Sequence, residues 1–258
     1  MGLHIIVCIK SVITKAPENG IVRSADTAAL NPFDRPALEV AISMAEKQGG
    51  TVTAVSMGPP SCAFILNEAM AMGADRGILL SDPRLADSDT LATSTALAAA
   101  IKKLAPFDLV LFGTRTYDSD TGQVGPQTAV LLDAPLVTGV SGFEFIDTRL
   151  RVDRTIDGFG EEYELSLPAA LTINPSAAAP RDLLLRGIEE SFTGKEIEIL
   201  ALDDLGIDPR TVGNSGSPTR VLSLTRVTRE RKCEFLTGTM DEQAEELVEF
   251  IKKSGLIG

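Results

Sequence analysis

A chain of 258 residues, 44% of them hydrophobic, is long enough to bury one large core. Its formal net charge of −12 disfavours nucleic acid and anionic lipid as main partners, because both would repel it. The sequence contains no run of about eighteen apolar residues, which a membrane helix needs, and no basic leader before the first apolar run. We therefore expect a cytoplasmic chain without membrane insertion.

The residue types that carry metal or acid–base chemistry are sparse. Cys8, Cys62 and Cys233 lie far apart without a CxxC pair, which predicts neither a local metal site nor a disulfide framework. The only histidine, His4, lies in an apolar run, which favours a structural role over a catalytic one. No spacing places two carboxylates across a cleft, so we predict no catalytic residue.

Short β-branched runs alternate with helix-like segments along the first half of the chain. They predict strands at 4–9, 51–57, 76–80 and 108–112, and helices at 36–47, 62–72 and 90–104. Asp89 or Thr90 is a suitable N-cap for the last of these helices. Because this alternation implies right-handed βαβ crossovers, we predict a doubly wound α/β fold with a mainly parallel sheet.

The pattern changes beyond residue 137. Residues 148–156 and 161–167 alternate with period two across Asp157-Gly158, which predicts an antiparallel hairpin added to the parallel sheet. After Pro180 the periodicity is weak until an amphipathic segment at 241–253. A long stretch without its own core favours packing on another chain. We therefore predict an α/β domain over residues 1–180 and an extended C-terminal arm over 181–258.

The most informative segment, residues 113–126, follows the predicted strand at 108–112. Open α/β sheets bind ligands at this edge, beyond the carboxyl ends of their strands. Glycines permit close approach of a ligand, and the helix predicted at 127–132 offers unpaired N–H groups at its start. Neither G-x-G-x-x-G nor a Walker lysine motif is present. The pattern alone leaves two interpretations open, a nucleotide phosphate site and a polar loop with capping residues.

The loop carries some side chains that could bind a phosphate and others that would repel it. Hydroxyl donors are present at Thr114, Thr116, Ser119 and Thr121. The carboxylates of Asp118 and Asp120 would repel a phosphate, so we expect them to cap backbone N–H groups or to accept from ribose hydroxyls.

Four segments, in this order and spacing, resemble those of electron-transfer flavoprotein β subunits. They are Asn31-Pro32-Phe33-Asp34, Ser56-Met57-Gly58-Pro59, residues 71–77 (AMGADRG) and the loop at 113–125. The resemblance implies an electron carrier that pairs with an α subunit, which binds the main FAD. It also implies a second nucleotide in the β subunit, either AMP or, in the electron-bifurcating branch, a second FAD.

The resemblance places this nucleotide at strand ends and a helix start. The implied cofactor-binding residues are Cys8, Asn31, Pro32, Phe33, Asp34, Met57, Asp89, Thr90, Thr93, Gly113, Thr114, Arg115, Thr116, Tyr117, Asp118, Ser119, Asp120, Thr121, Gly122, Gln123 and Val124. For Asp89 and Thr90 an ordinary N-cap is the alternative interpretation. Phe33 resembles the aromatic residue that approaches the main flavin from the β subunit. Residues 118–126 resemble the loop of the electron-bifurcating branch more closely than the AMP-type loop, so we expect FAD as the nucleotide of the β subunit, with AMP as the alternative.

Residues 180–186 resemble the loop by which these proteins dock on acyl-CoA dehydrogenases or similar flavoenzymes. The resemblance makes Leu183, Leu184 and Leu185 partner-binding residues, with Leu185 in the place of the anchoring leucine. Without the resemblance, three leucines shortly before a glycine would indicate residues of the hydrophobic core. An NADH-dependent bifurcating activity would belong only to a complex. The alternative function is a free-standing adenine-nucleotide sensor resembling universal stress proteins.

Overall fold

A computed structural model describes residues 2–14, 26–146, 149–183, 185–193, 197–223 and 233–256. The chain divides into two compact units, Met1–Arg220 and Val221–Gly258. Among the described residues, no helix is long and apolar enough to cross a membrane.

The larger unit alternates strands and helices along the chain. Its strands are β1 (Leu3–Cys8), β2 (Ser11–Ile13), β3 (Ala28–Leu30), β4 (Gly50–Met57), β5 (Arg76–Leu80), β6 (Leu109–Gly113), β7 (Leu136–Ile146), β8 (Arg149–Ile156), β9 (Phe159–Ser166), β10 (Ala169–Ile173) and β11 (Ile197–Leu200). Its helices are α1 (Arg35–Gln48), α2 (Ala63–Met72), α3 (Thr90–Lys103), α4 (Val124–Leu131), α5 (Leu185–Thr193), α6 (Leu202–Leu205) and α7 (Gly213–Gly216). The smaller unit contains α8 (Met240–Lys253).

The main sheet has the strand order β11-β5-β4-β1-β6-β10-β7-β8-β9. Neighbouring strands run parallel from β11 to β7, and β8 and β9 continue the sheet in antiparallel pairing. Strands β2 and β3 form a separate antiparallel pair. The predicted class, a mainly parallel α/β sheet with an added antiparallel hairpin, is confirmed.

Both faces of the central, parallel part of the sheet are buried. Successive residues of β1 alternate between two hydrophobic clusters, with Ile5 and Val7 in the cluster that contains α1 and α2, and Ile6 in the cluster that contains α3. Burial on both sides explains why the strands read as continuous apolar runs. Since β1, β4, β5 and β6 are parallel, the segments that follow them begin at the same edge of the sheet.

The predicted strands and helices agree with the structure to within a residue or two, except that α4 begins three residues before position 127. The hairpin turn at Asp157-Gly158 has φ of 50° and 82°, which suits the tight turns of twisted hairpins. Helix α5 contacts α2, and β11 pairs with β5, so both belong to the larger unit. The predicted packing of residues 181–258 on another chain stays a prediction.

Candidate functional site

Three segments meet at the carboxyl edge of the sheet: the end of β1, the turn before α1 and the loop after β6. The Asp34 carboxylate joins them, because it accepts from Lys10 N–H at 2.8 Å, from Asn31 Nδ2 at 2.8 Å and from the main chain of Gly113. Burial raises the pKa of Asp34 to about 7, against the opposing effect of these donors. A buried carboxyl group thus ties the two strand ends to the start of α1.

The fully buried Asn31 side chain holds the backbone of the loop after β6. Its Nδ2 donates to the Arg115 carbonyl oxygen at 2.9 Å, and its Oδ1 accepts from Tyr117 N–H at 3.2 Å. One amide group therefore fixes two main-chain positions of a loop that lies more than eighty residues away along the chain.

Gly113 is a position where the backbone must pass close to this junction. A Cβ atom added there would lie 2.3 Å from Asp34 Oδ1 and 2.6 Å from the Phe33 carbonyl oxygen. Both distances are well below van der Waals contact, so the junction requires glycine. The Arg115 guanidinium lies 4.5 Å from the centre of the Phe33 ring, which completes the contact between the loop and the turn before α1.

Both acidic residues of the loop have a basic partner. Lys10 Nζ lies 2.7 Å from Asp118 Oδ1 and also donates to Ser119 Oγ at 3.2 Å. Arg115 Nη1 lies 3.6 Å from Asp120 Oδ1. Lys10 lies two residues beyond the end of β1 and was missed at the sequence level, because nothing in the sequence indicates that it faces a residue 108 positions away.

The loop leads into α4 through two residues with positive φ, Asp120 at 53° and Gly122 at 62°. The N-cap residue Gln123 does not cap α4 with its side chain; its Oε1 instead accepts from Thr90 Oγ1 at 2.9 Å. The first-turn N–H groups of α4 are therefore not taken by the N-cap side chain, and they are the kind of group that binds a phosphate.

The start of α3, unlike that of α4, is capped by the side chain of its N-cap residue. Asp89 Oδ1 accepts from Leu91 N–H and Ala92 N–H, each at 3.0 Å, which confirms Asp89 as the N-cap. Its Oδ2 accepts from the N–H and the hydroxyl of Thr219 at 3.0 and 2.8 Å. Burial acts to raise the pKa of Asp89, but these donors lower it overall. The helix also includes Thr93, whose N–H donates to the Asp89 carbonyl oxygen.

The remaining predicted site residues occupy varied surroundings. Cys8 is buried at the end of β1, and burial raises the pKa of its thiol far above the ordinary value, which makes it unreactive. Met57, at the end of β4, packs against the cluster on the α3 face. Pro32 is exposed in the turn before α1. In the loop, Thr114 is half-buried and Thr121 is exposed.

Two of the three predicted docking leucines lie on the surface of the larger unit. Leu183 is 37% exposed and Leu185 is 85% exposed, whereas Leu184 lies outside the described residues. Just before them, Arg181 forms ion pairs with Glu39 and Glu46 of α1 at 2.9 and 2.7 Å. The segment that carries these leucines is therefore held firmly onto α1 at its beginning.

Comparison with known proteins identifies relatives along nearly the whole chain. The electron transfer flavoprotein domain family matches residues 19–205. The electron transfer flavoprotein subunit beta of Thermoanaerobacterium thermosaccharolyticum is 40% identical, over 92% of this chain and 91% of the relative. The caffeyl-CoA reductase-Etf complex subunit CarD of Acetobacterium woodii is 36% identical over 99% of this chain and all of the relative. Protein FixA of Azotobacter vinelandii is 38% identical over 85% and 82%.

An α/β sheet with a polar loop at its carboxyl edge defines only a broad class of ligand-binding domains. The comparisons define the family: the chain belongs to the electron transfer flavoprotein family. Its relatives include electron transfer flavoprotein β subunits and FixA proteins, so the family expected from the resemblance is confirmed.

Proposed function

We propose that the chain is the β subunit of a heterodimeric electron-transfer flavoprotein. It binds an adenine nucleotide, FAD or AMP, at the carboxyl edge of its sheet. An α subunit holds most of the main FAD, and the heterodimer passes electrons between flavin dehydrogenases such as acyl-CoA dehydrogenases and other redox partners.

One observation supports this function above the others: the junction of Asn31, Asp34 and Gly113 holds the loop after β6 beside the open start of α4. Asn31 fixes the loop backbone at Arg115 and Tyr117, and Gly113 allows the loop to lie against the turn before α1. The bonds of the junction hold the loop in a fixed shape, which would prepare it for a ligand.

The residues at this edge fit a nucleotide with a phosphate or diphosphate group. Main-chain N–H groups at Val124 and Gly125 would hold the phosphate, with the hydroxyls of Thr116 and Ser119 close to the loop's own basic partners. Arg115 and Phe33 would approach the flat ring systems of the ligand or of the main flavin. Bound FAD supplies reversible electron uptake, while the protein provides binding, orientation and electrostatics.

The docking surface of this proposal is the segment around Leu185. At one side the segment is held on α1 by the ion pairs of Arg181. At the other side it approaches α2 closely at Gly187, where a Cβ would lie 2.4 Å from the Ala71 carbonyl oxygen. An exposed leucine on a fixed segment loses little conformational freedom when it enters a partner's pocket. Relatives named for caffeyl-CoA reductase and acryloyl-CoA reductase support a redox enzyme that acts on CoA esters.

The choice between AMP and a second FAD also belongs to this proposal. We favour a second FAD, and hence electron bifurcation, because residues 118–126 resemble the bifurcating loop. Family membership favours an electron carrier over a free-standing nucleotide sensor.

Co-expression with a candidate α subunit, followed by acid extraction and chromatography, tests the function. The expected result is a yellow heterodimer that releases two FAD molecules. One FAD with one AMP would keep the electron carrier and reject bifurcation. A monodisperse single chain that retains nucleotide and ignores every α subunit would support the sensor instead.

The docking surface has its own test. In reduction assays with a flavin dehydrogenase, Leu185→Asp should raise the KM for the dehydrogenase about tenfold or more, because a buried charge replaces a buried leucine. Ile199→Asp is the matched control, since Ile199 is exposed on β11, outside this segment. If Leu185→Asp and Ile199→Asp raised the KM equally, the assignment of the docking surface to the segment around Leu185 would be rejected.

A further inference from the structure

Arg181 joins the chain just before the predicted docking leucines to helix α1, through both its main chain and its side chain. Its N–H donates to Glu39 Oε2 at 3.0 Å, and its Nε and Nη2 donate to Glu39 Oε2 and Oε1, each at 2.9 Å. Its Nη1 and Nη2 also donate to Glu46 Oε1 and Oε2, at 2.7 and 3.0 Å. Each carboxylate therefore binds the guanidinium group through both of its oxygens, which fixes the direction of the side chain as well as its position.

Glu39 is a firm anchor for Arg181, because it lies on the buried face of α1. It is only 8% exposed, and its neighbours Leu38 and Val40 belong to the hydrophobic core. Ser43 Oγ donates to Glu39 Oε1 at 2.9 Å. Burial acts to raise the pKa of Glu39, but the bonds from Arg181 lower it overall. The guanidinium group is thus bonded to an ionised carboxylate that is itself held in the core of the larger unit.

The other end of the leucine-bearing segment is fixed by its close approach to α2. A Cβ added at Gly187 would lie 2.4 Å from the Ala71 carbonyl oxygen. Leu185 lies between the two fixed points, Arg181 and Gly187, yet it is 85% exposed. The fold therefore presents an apolar side chain to solvent from a segment whose two ends are anchored on different helices.

We propose that Arg181 is a positioning residue for partner docking: it orders the segment at residues 182–187 on α1 and thereby sets how Leu185 is presented to a redox enzyme. A segment that is ordered beforehand loses less conformational entropy when a partner binds it. Lysine could not replace arginine here, because a single ammonium group cannot form paired bonds with two carboxylates. This inference rests on the proposed docking function of Leu185.

The main test variant is Arg181→Met/Glu39→Gln, which removes the anchor without leaving an unpaired carboxylate in the core. It is assayed as the heterodimer, with an acyl-CoA dehydrogenase for which Leu185→Asp raises the KM. The KM should rise about fivefold or more and kcat should stay within about twofold, because docking is weakened and electron transfer in the docked complex is not. Amide hydrogen exchange at residues 182–187 should become faster, with no change in β1 and β6.

Arg84→Met/Asp82→Asn is the matched control. Arg84 binds Asp82 in the same pattern, through its N–H, Nε and Nη2, and the Asp82 side chain is only 7% exposed. The adjacent Leu85 belongs to the cluster that contains α3, whereas α1 lies on the opposite face of the sheet. The control should therefore leave the KM for the dehydrogenase unchanged.

Arg181→Lys separates positioning from charge, and it keeps a cation beside Glu39 if the double variant does not fold. We expect the KM to rise about threefold, by the same factor at low and at high salt, because a lost geometry is not screened by ions. A wild-type KM in this variant, or a rise that disappears at high salt, would show that Arg181 acts through its charge and would overturn the positioning role.

The last comparison separates this inference from the function on which it rests. In a Leu185→Asp background, loss of the anchor should raise the KM by less than about twofold further, because the docking leucine is already gone. An undiminished rise in that background, or unchanged exchange at residues 182–187, would overturn the role of Arg181 while docking through Leu185 stands. If Leu185→Asp leaves the KM unchanged for every acyl-CoA dehydrogenase tested, the docking function fails and this inference fails with it.

Discussion

The starts of α3 and α4 lie side by side at the same edge of the sheet, joined by the bond from Thr90 to Gln123, yet they are built in opposite ways. Helix α3 is closed by Asp89, which takes two of its first-turn N–H groups and also holds Thr219. Helix α4 has no bond from its N-cap side chain.

Under the proposed function, the difference would allow one edge to contain both a structural and a ligand-binding helix start. A carboxylate cap satisfies the N–H groups and places a negative charge where a phosphate would have to bind. An uncapped start keeps those N–H groups for a ligand, and other elements must then hold the loop in place. Here Asn31, Asp34 and Gly113 supply that support for α4.

The largest expected effect concerns the pH dependence of stability that Asp34 contributes. Its pKa is raised from 3.8 to about 7 in the folded chain, so between these values the folded state keeps a proton that the unfolded state has lost. Stability should therefore fall as pH rises from about 4 to about 7, by at most about 4 kcal/mol, and this contribution should stay constant above that.

Urea unfolding of wild type and Asp34→Asn at several pH values measures this effect, because the other titrating groups are common to both. The difference between the two chains should fall across this window. A difference that is independent of pH would show that Asp34 is ionised throughout.

The next effect comes from Gly113→Ala. The added methyl group would meet Asp34 Oδ1 and the Phe33 carbonyl oxygen, so we expect a loss of about 3 kcal/mol in the free energy of unfolding and loss of AMP binding. Gly160→Ala is the control, since no atom lies within 4 Å of a Cβ there. Similar unfolding curves for the two variants would contradict the close approach at Gly113.

Asn31→Ala should have a somewhat smaller effect on stability. It removes the bonds to Arg115 and Tyr117, with an expected loss of about 2 kcal/mol and AMP affinity weakened at least about tenfold. Asn174→Ala, which loses a local bond to Ser176, serves as the control and should keep normal affinity. Unchanged AMP affinity in Asn31→Ala would remove the support assigned to the open helix start.

Asp89→Ala should have the smallest effect on stability, and it tests whether the start of α3 contributes to the phosphate site. Loss of the α3 cap should cost about 1 kcal/mol in thermal or urea unfolding and leave AMP affinity unchanged. A fall in affinity as large as that of Asn31→Ala would show that the start of α3 contributes to the phosphate site.

Local patterns predicted the elements whose signals lie within a few residues. The strands at β1, β4, β5 and β6 and the cap at Asp89 follow from apolar runs and capping chemistry. Strands β2, β3, β7, β10 and β11 were not predicted. Three of them are too short to show a period-two pattern, since β2 and β3 have three residues each and β11 has four.

The contacts of the candidate site were also beyond the reach of local sequence patterns. The loop that begins at Gly113 could be selected from the sequence, because glycine and capping residues have local meaning, whereas the segment around Asn31 was selected through its resemblance to the family. The pairing of Lys10 with Asp118 depends on the register of β1 beside β6, and the two bonds of Asn31 depend on how the loop folds back over the turn before α1. Such contacts appear only when the tertiary fold is present.

The most direct test of the account is a crystal structure of the heterodimer with its native nucleotide. We expect phosphate oxygens within hydrogen-bond distance of main-chain N–H groups at the start of α4, while Leu91 and Ala92 still donate to Asp89. A phosphate bound at the start of α3 with Asp89 displaced, or an edge without nucleotide, would contradict it.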